Sequence, residues 1–311
     1  MKTVTRPARN IEVYQGAGND AIPWTVGQRT MHRRLMPRII LADNLTVLPR
    51  LAEESVPLIY IDPPFNTGRG RSLTRLKTAR DASGDRVGFA GRRYRTERGE
   101  RLSYTDAFDD YLGFLEPRLR HAHRVLAPSG TLYLHLDYRE AHYSKVLLDD
   151  IFGRDAFLNE IIWAYDYGGR ATRRWPAKHD TILVYVKDPA RYVFNADDVE
   201  REPYMAPGLV GPEKAARGKL PTDVWWHTIV SPTGRERTGY PTQKPVAILR
   251  RIVAASSRPG DLILDFFAGS GTAGQAALEL GRDFLLIDSN PAAIQIMRQR
   301  FAAYPNIQFD Q

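Results

Sequence analysis

Leu262-Ile263-Leu264-Asp265-Phe266-Phe267-Ala268-Gly269-Ser270-Gly271-Thr272 reads as a short buried strand, Leu262 to Phe266, that turns through glycines and opens a helix. A brief apolar run bounded by turn residues marks a strand covered on both faces. Glycines at the strand-to-helix turn let the backbone approach a ligand closely. Gly269, Gly271 and Gly274 satisfy G-x-G-x-x-G, and Asp288 ends the next apolar run, Phe284 to Asp288. Together they indicate a cofactor containing a nucleoside, with Asp288 placed for ribose hydroxyls.

The same alternation extends outward from this stretch. Helices are predicted over Pro245 to Ser256, Thr272 to Leu280 and Pro291 to Phe301, the last with proline at its first position, where the missing donor costs nothing. Upstream, Arg38 to Ala42 and Leu58 to Ile61 read as strands flanking a helix from Leu45 to Glu54. A helix from Asp106 to Leu126 precedes a turn at Pro128-Ser129-Gly130 and a strand from Thr131 to Leu136. Arg139 to Ile151 follows as a helix, then strands Phe157 to Trp163 and Thr181 to Val186 around a polar loop. Strands alternating with helices predict an α/β fold with a mostly parallel, doubly wound sheet and inserted loops. The expected organisation is a basic extension over 1–37, one half of the main domain over 38–187 with a basic insertion at 69–103, an irregular insert at 188–238, and a cofactor-binding half over 239–311.

The chain has 311 residues, 43% of them hydrophobic, and no cysteine. Disulfides, thiol nucleophiles and Cys-ligated metal centres are therefore excluded, and no metal is expected. No run reaches the ~18 apolar residues of a membrane span, and no apolar secretory segment follows the basic start, so a cytoplasmic protein is expected. The formal charge is +8. Residues 69–103 hold eleven Lys and Arg against four Asp and Glu, and residues 1–38 hold seven against two. Such patches suit a polyanionic partner, or else form solvated loops.

Asp62-Pro63-Pro64-Phe65 stands directly after the strand Leu58 to Ile61, where open α/β sheets place their ligands. Asp62 and the Pro63 carbonyl are acceptors suited to an amine, and Phe65 offers a stacking face for a base swung out of a duplex. A conjugated amine is a poor nucleophile, and acceptors that favour its pyramidal form act most strongly in the transition state. A third segment, Thr242-Gln243-Lys244-Pro245, precedes the helix leading to the glycine turn and on its own is weak.

The glycine fingerprint also fits a nicotinamide oxidoreductase. Only 23 residues follow Asp288, however, short of the second mononucleotide half that a dinucleotide requires, and the balance favours S-adenosylmethionine.

With these segments in hand, the chain resembles the amino-methylating DNA methyltransferases of the permuted beta class, over about Ile39 to Phe301. The resemblance implies a Rossmann-like methyltransferase sheet with the catalytic motif ahead of the cofactor motif, and transfer from S-adenosylmethionine to adenine N6 in double-stranded DNA. It assigns catalysis to Asp62, Pro63, Pro64 and Phe65. It places the cofactor against Asp265, Phe267, Ala268, Gly269, Ser270, Gly271, Thr272 and Asp288, with Asp43 facing its adenine amine and Thr242, Gln243, Lys244 and Pro245 closing over its methionine end. Leu134 to Lys145 and Lys178 to Thr181 are similar to segments lining the site, but read equally well as strand ends and a helix face. Phe266 departs from the family's usual proline. The insert at 188–238 is the expected target-recognition region, shared with residues 69–103 or with a second subunit. Trp225 and Trp226 are candidate DNA contacts, although a Trp pair beside valine is more often core. Cytosine N4 is the nearest alternative target, followed by RNA or a protein amide; a DNA-binding protein without activity is the alternative of another class. A homodimer and a separate restriction nuclease stay open as partners.

Overall fold

The apolar runs become strands β1 (Arg38–Leu41), β2 (Val56–Ile61), β10 (Leu262–Asp265) and β11 (Asp283–Asp288), and the periodic segments between them become helices. The structure, a computed structural model, describes residues 36–66, 71–80, 86–87, 93–104, 108–168, 171–231 and 233–311; all but the end of the basic N-terminal extension lies outside these. The remaining strands are β3 (Arg71–Arg80), β4 (Arg86–Val87), β5 (Arg93–Tyr104), β6 (Leu126–Leu136), β7 (Phe157–Ala164), β8 (His179–Val186), β9 (Val224–Trp226) and β12 (Gln308–Asp310). Helices are α1 (Asn44–Val47), α2 (Tyr111–Val125), α3 (Ala141–Phe152), α4 (Pro212–Arg217), α5 (Val246–Ser256), α6 (Thr272–Glu279) and α7 (Pro291–Arg300).

Nine strands form one sheet in the order β12-β1-β11-β10-β2-β6-β8-β7-β9. It is parallel from β12 through β6, then antiparallel at β6–β8 and β8–β7, with β9 parallel to β7. The expected mostly parallel α/β sheet is therefore present. Successive residues of a strand point to opposite faces, and both faces are covered. Ile59, Ile61, Leu264 and Ile287 pack with Leu115 and Leu119 of α2, whereas Leu58, Ile263 and Leu286 pack with Ile252 and Val253 of α5 and Met297 of α7.

Three expectations need correction. The helix predicted from Leu45 to Glu54 lasts only to Val47, and Pro49 turns Leu48–Arg50 into a single 3-10 turn, because proline has no amide for the next α-helical bond. Arg124 then caps the freed end, donating from Nη2 to the carbonyls of Leu48 and Leu51 at 2.8 and 2.9 Å. Pro128-Ser129-Gly130 is not a turn between elements: Val56 pairs with Leu126 and Leu58 with Thr131, so the extra residues bulge within β6. The insertion at 69–103 is not a loop. Its described residues form a separate antiparallel sheet, β3-β5-β4. The 188–238 segment, expected as an irregular insert, sends β9 to the edge of the main sheet.

Candidate active site

The glycine turn and the Asp-Pro-Pro-Phe turn leave the carboxyl ends of β10 and β2, which are hydrogen-bonded neighbours. Sequence separates them by some two hundred residues; the sheet brings them to one rim. Around that rim, each of six adjacent strands carries an aspartate at the same edge. Asp43 follows β1, Asp288 ends β11, Asp265 ends β10, Asp62 follows β2, Asp137 follows β6, and Asp180 lies at the start of antiparallel β8. A cleft of about 300 Å³ opens there, lined among others by Asp43, Asp62, Phe65, Gly269 and Asp288.

At the first turn, Pro63 is buried and Asp62 partly so. Asp62 Oδ2 takes the Lys244 ammonium at 2.5 Å, while Oδ1 is buried with no hydrogen-bond partner. An unsatisfied buried acceptor costs about 1–3 kcal/mol, so Oδ1 stands ready for a donor. The carboxyl end of the turn is fixed by Asn66, whose left-handed backbone (φ 53°) is one that asparagine tolerates. Its side chain donates to Glu140 at 2.8 Å and accepts from the Phe108 amide at 2.9 Å.

Behind Phe65 lies a buried polar chain over three strands. The Phe65 and His135 rings are 5.9 Å apart at 31°. Tyr60 Oη contacts His135 Nδ1 at 2.8 Å, His135 Nε2 contacts Asp180 Oδ2 at 3.2 Å, and the Tyr165 hydroxyl donates to Asp180 Oδ1 at 2.9 Å. Burial works to raise the Asp180 carboxyl, but the His135 contact, Lys244 and the Tyr165 hydroxyl outweigh it and hold it below its ordinary value. An ionised Asp180 accepts from His135 Nε2–H, leaving Nδ1 to accept from Tyr60. Leu134 to Lys145 and Lys178 to Thr181 thus reach the rim through His135, Asp137 and Asp180. One signal was available: all three are polar residues at the ends of otherwise apolar strands.

At the glycine turn, Gly269 (φ 51°) and Gly271 (φ 76°) have left-handed backbones. A Cβ on Gly269 would stand 3.0 Å from the Tyr240 ring, and one on Gly271 2.9 Å from Met297 Cγ. Asp288 accepts from the amides of Gly269 at 2.7 Å and Asn290 at 2.8 Å, one to each oxygen, tying β11 to the turn. Asp265 accepts from the Phe267 amide at 3.0 Å. Burial drives the Asp265 carboxyl well above its ordinary value, and the charges of Asp62 and Asp288 add to this. Burial raises Asp288 as well, against its two backbone donors. Ser270 Oγ lies 3.0 Å from Thr272 Oγ1, which donates to the Lys244 carbonyl at 3.3 Å and accepts from Arg300 at 3.1 Å.

Asp43 caps α1 through the Leu45 amide, and over half its side chain is exposed to the cleft. Asn44, absent from the expected set, donates to the Phe266 carbonyl and accepts from buried Arg118, fixing the strand end where proline would be usual. Thr242, Gln243 and Lys244 border the same cleft, whereas Pro245 stands at the start of α5 and is not among the lining residues. The Gln243 amide is engaged by its own loop, with Thr238 and Glu236, and the Lys244 ammonium is on Asp62. Of the tryptophans, Trp225 is buried (6% exposed) with Nε1 on the Thr222 carbonyl, and Trp226 is 79% exposed. Trp175, which the sequence did not single out, is 95% exposed between β7 and β8.

Among the described residues, no helix is long and apolar enough to cross a membrane. A family model described as DNA methylase matches residues 56–299. The type II methyltransferase M.HpaI of Haemophilus parainfluenzae is 31% identical over 263 residues, which cover 85% of this chain and 73% of that protein. The DNA adenine methyltransferase YhdJ of Escherichia coli strain K12 is also 31% identical, over 270 residues covering 84% of this chain and 81% of the relative. In fold, the chain is similar to the crystal structure of the M1.HpyAVI–SAM complex, with a TM-score of 0.53, 21% identity, and coverage of 85% of this chain and 98% of that one.

Proposed function

This chain belongs to the DNA methylase family, and on that premise we propose that it methylates N6 of adenine in double-stranded DNA, using S-adenosylmethionine. The observation that carries the reading is the shared cleft: the free Asp62 Oδ1 and the Gly269 turn open onto one rim from adjacent strands. The motif order, Asp62 before Gly269, is that of the permuted beta class.

The residues of the cleft fit this cofactor. Phe267 and Phe114 offer apolar walls for an adenine, with Asp43 at their edge for its amine. Each Asp288 oxygen takes one backbone donor and keeps a second acceptor site for a ribose hydroxyl. Gly269, without a side chain, leaves the turn open to close approach. When bound, S-adenosylmethionine supplies an electrophilic methyl group on a positively charged sulfur.

The rest belongs to the chain. Asp62 Oδ1 and the Pro63 carbonyl accept the two hydrogens of the target amine, directing its lone pair away from the base plane. Phe65, backed by His135, stacks on the base extruded from the duplex. Asp62 Oδ1 stands at the nitrogen to receive the proton released once the methyl is gained. Adenine is favoured over cytosine N4 because Asp occupies position 62, where relatives acting on cytosine more often carry Ser, and because YhdJ is named an adenine methyltransferase. Thr272, Ala268 and Ser270 shape the turn around the cofactor.

Incubating the protein with methyl-labelled cofactor and unmodified genomic DNA, then digesting to nucleosides, tests the reading. Label in N6-methyladenine is expected. Label in N4-methylcytosine would move the target to cytosine, and no transfer would defeat the reading.

A further inference from the structure

Lys244 stands where the methionine end of a cofactor was expected, yet its ammonium reaches across to the other turn. Its backbone is held by the cofactor half: the Lys244 carbonyl accepts from Thr272 Oγ1, and Pro245 caps α5. Its buried side chain spans to Asp62 Oδ2 at 2.5 Å and lies 4.7 Å from the Phe65 ring centroid. One ammonium thereby contacts both the carboxylate and the ring assigned to the target base.

We propose that Lys244 is a positioning residue, which clamps Asp62 through Oδ2 so that Oδ1 is presented to the target amine, and at the same time steadies Phe65. The inference rests on the reading of Asp62 as the amine acceptor. Two observations carry it. Ion-pairing one carboxylate oxygen restrains the side chain's rotation, and here the free oxygen is the buried one without a partner. The Lys244 backbone, in the loop before α5, is also tied to the helix that opens after the cofactor turn through the Thr272 hydroxyl, so donor and acceptor sites share one mechanical frame across β10 and β2. A carboxylate left to rotate would lose the near-attack geometry on which much of an enzymatic rate depends.

The test uses Lys244→Met, Lys244→Arg and Asp62→Asn in the full-length chain, with cofactor affinity from calorimetry and turnover on unmodified genomic DNA. Lys244→Met is expected to lower kcat by roughly a hundredfold while changing the cofactor Kd by less than about threefold. Lys244→Arg should recover at least tenfold of that loss, since a guanidinium can hold Oδ2. In the Asp62→Asn background, Lys244→Met should add less than about threefold, because residues acting through one another are not additive. This last comparison holds even if the single variant is less stable, since Asp62→Asn removes the unpaired buried charge. A loss of cofactor affinity matching the loss of turnover, full additivity with Asp62→Asn, or unchanged kcat in Lys244→Met would each overturn the proposal. Wild-type protein that transfers no methyl to DNA would instead remove the reading on which it rests.

Discussion

Single residues at the rim carry separable duties. Asp62→Ala removes the acceptor and is expected to cut turnover by about a thousandfold or more, with cofactor binding retained, as for other preorganised polar groups that act in the transition state; rate and calorimetry on one preparation check both. Gly269→Ala places a Cβ at φ 51° against Tyr240. It should cost on the order of 1 kcal/mol in backbone strain, seen as a melting point lower by a few degrees, and weaken cofactor binding. Asp265 ties these residues to pH. Burial raises its folded-state carboxyl far above 3.8, so the native protein keeps a proton that the unfolded chain has lost. Its contribution to stability is therefore full at low pH and declines as pH rises above 3.8 toward the folded value. Asp265→Asn, which keeps an acceptor for the Phe267 amide, should raise the melting temperature relative to wild type by an amount that grows as pH rises above 3.8.

Elements were legible where pattern and local chemistry agreed. β2, β10, β11, α5 and α7 lie within a residue or two of their predicted limits, because burial on both faces demands unbroken apolar runs and Pro291 marks a helix start. The failures have local causes. Pro49 stopped a helix that the apolar spacing extended, and the bulge in β6 absorbed residues that look like a turn. The tryptophan pair shows what strand pairing adds. Because β9 joins the sheet edge, its alternation buries Trp225 and exposes Trp226. Trp225→Ala should cost roughly 3–5 kcal/mol, whereas Trp226→Ala should leave the unfolding midpoint in urea nearly unchanged. In the β7–β8 connection, exposed Trp175 beside Arg173 and Arg174 lies at the catalytic edge of the sheet. Trp175→Ala should weaken DNA binding several-fold in a fluorescence anisotropy titration without altering thermal stability, as expected for an aromatic that stacks on bases.

At the scale of the molecule, charge and topology divide the work. Nine of the eleven basic residues of 69–103 lie on β3, β4 and β5, which among the described residues pair only with one another. Replacing 69–105 with a short linker should leave cofactor affinity intact and reduce the slope of log K for DNA against log salt by about 3 or more, since each phosphate contact contributes roughly 0.9. What the amino-acid sequence determined by itself is the class of fold and the position of both turns at strand ends. Those properties depend on short-range pattern: apolar runs, glycines at a turn, prolines after an acid. Which turns would face each other was decided only in three dimensions, when β10 came to lie beside β2, six aspartates lined one edge and Lys244 crossed from one half to the other. Strand order and side-chain reach depend on packing between segments far apart in the chain, and no local pattern encodes that.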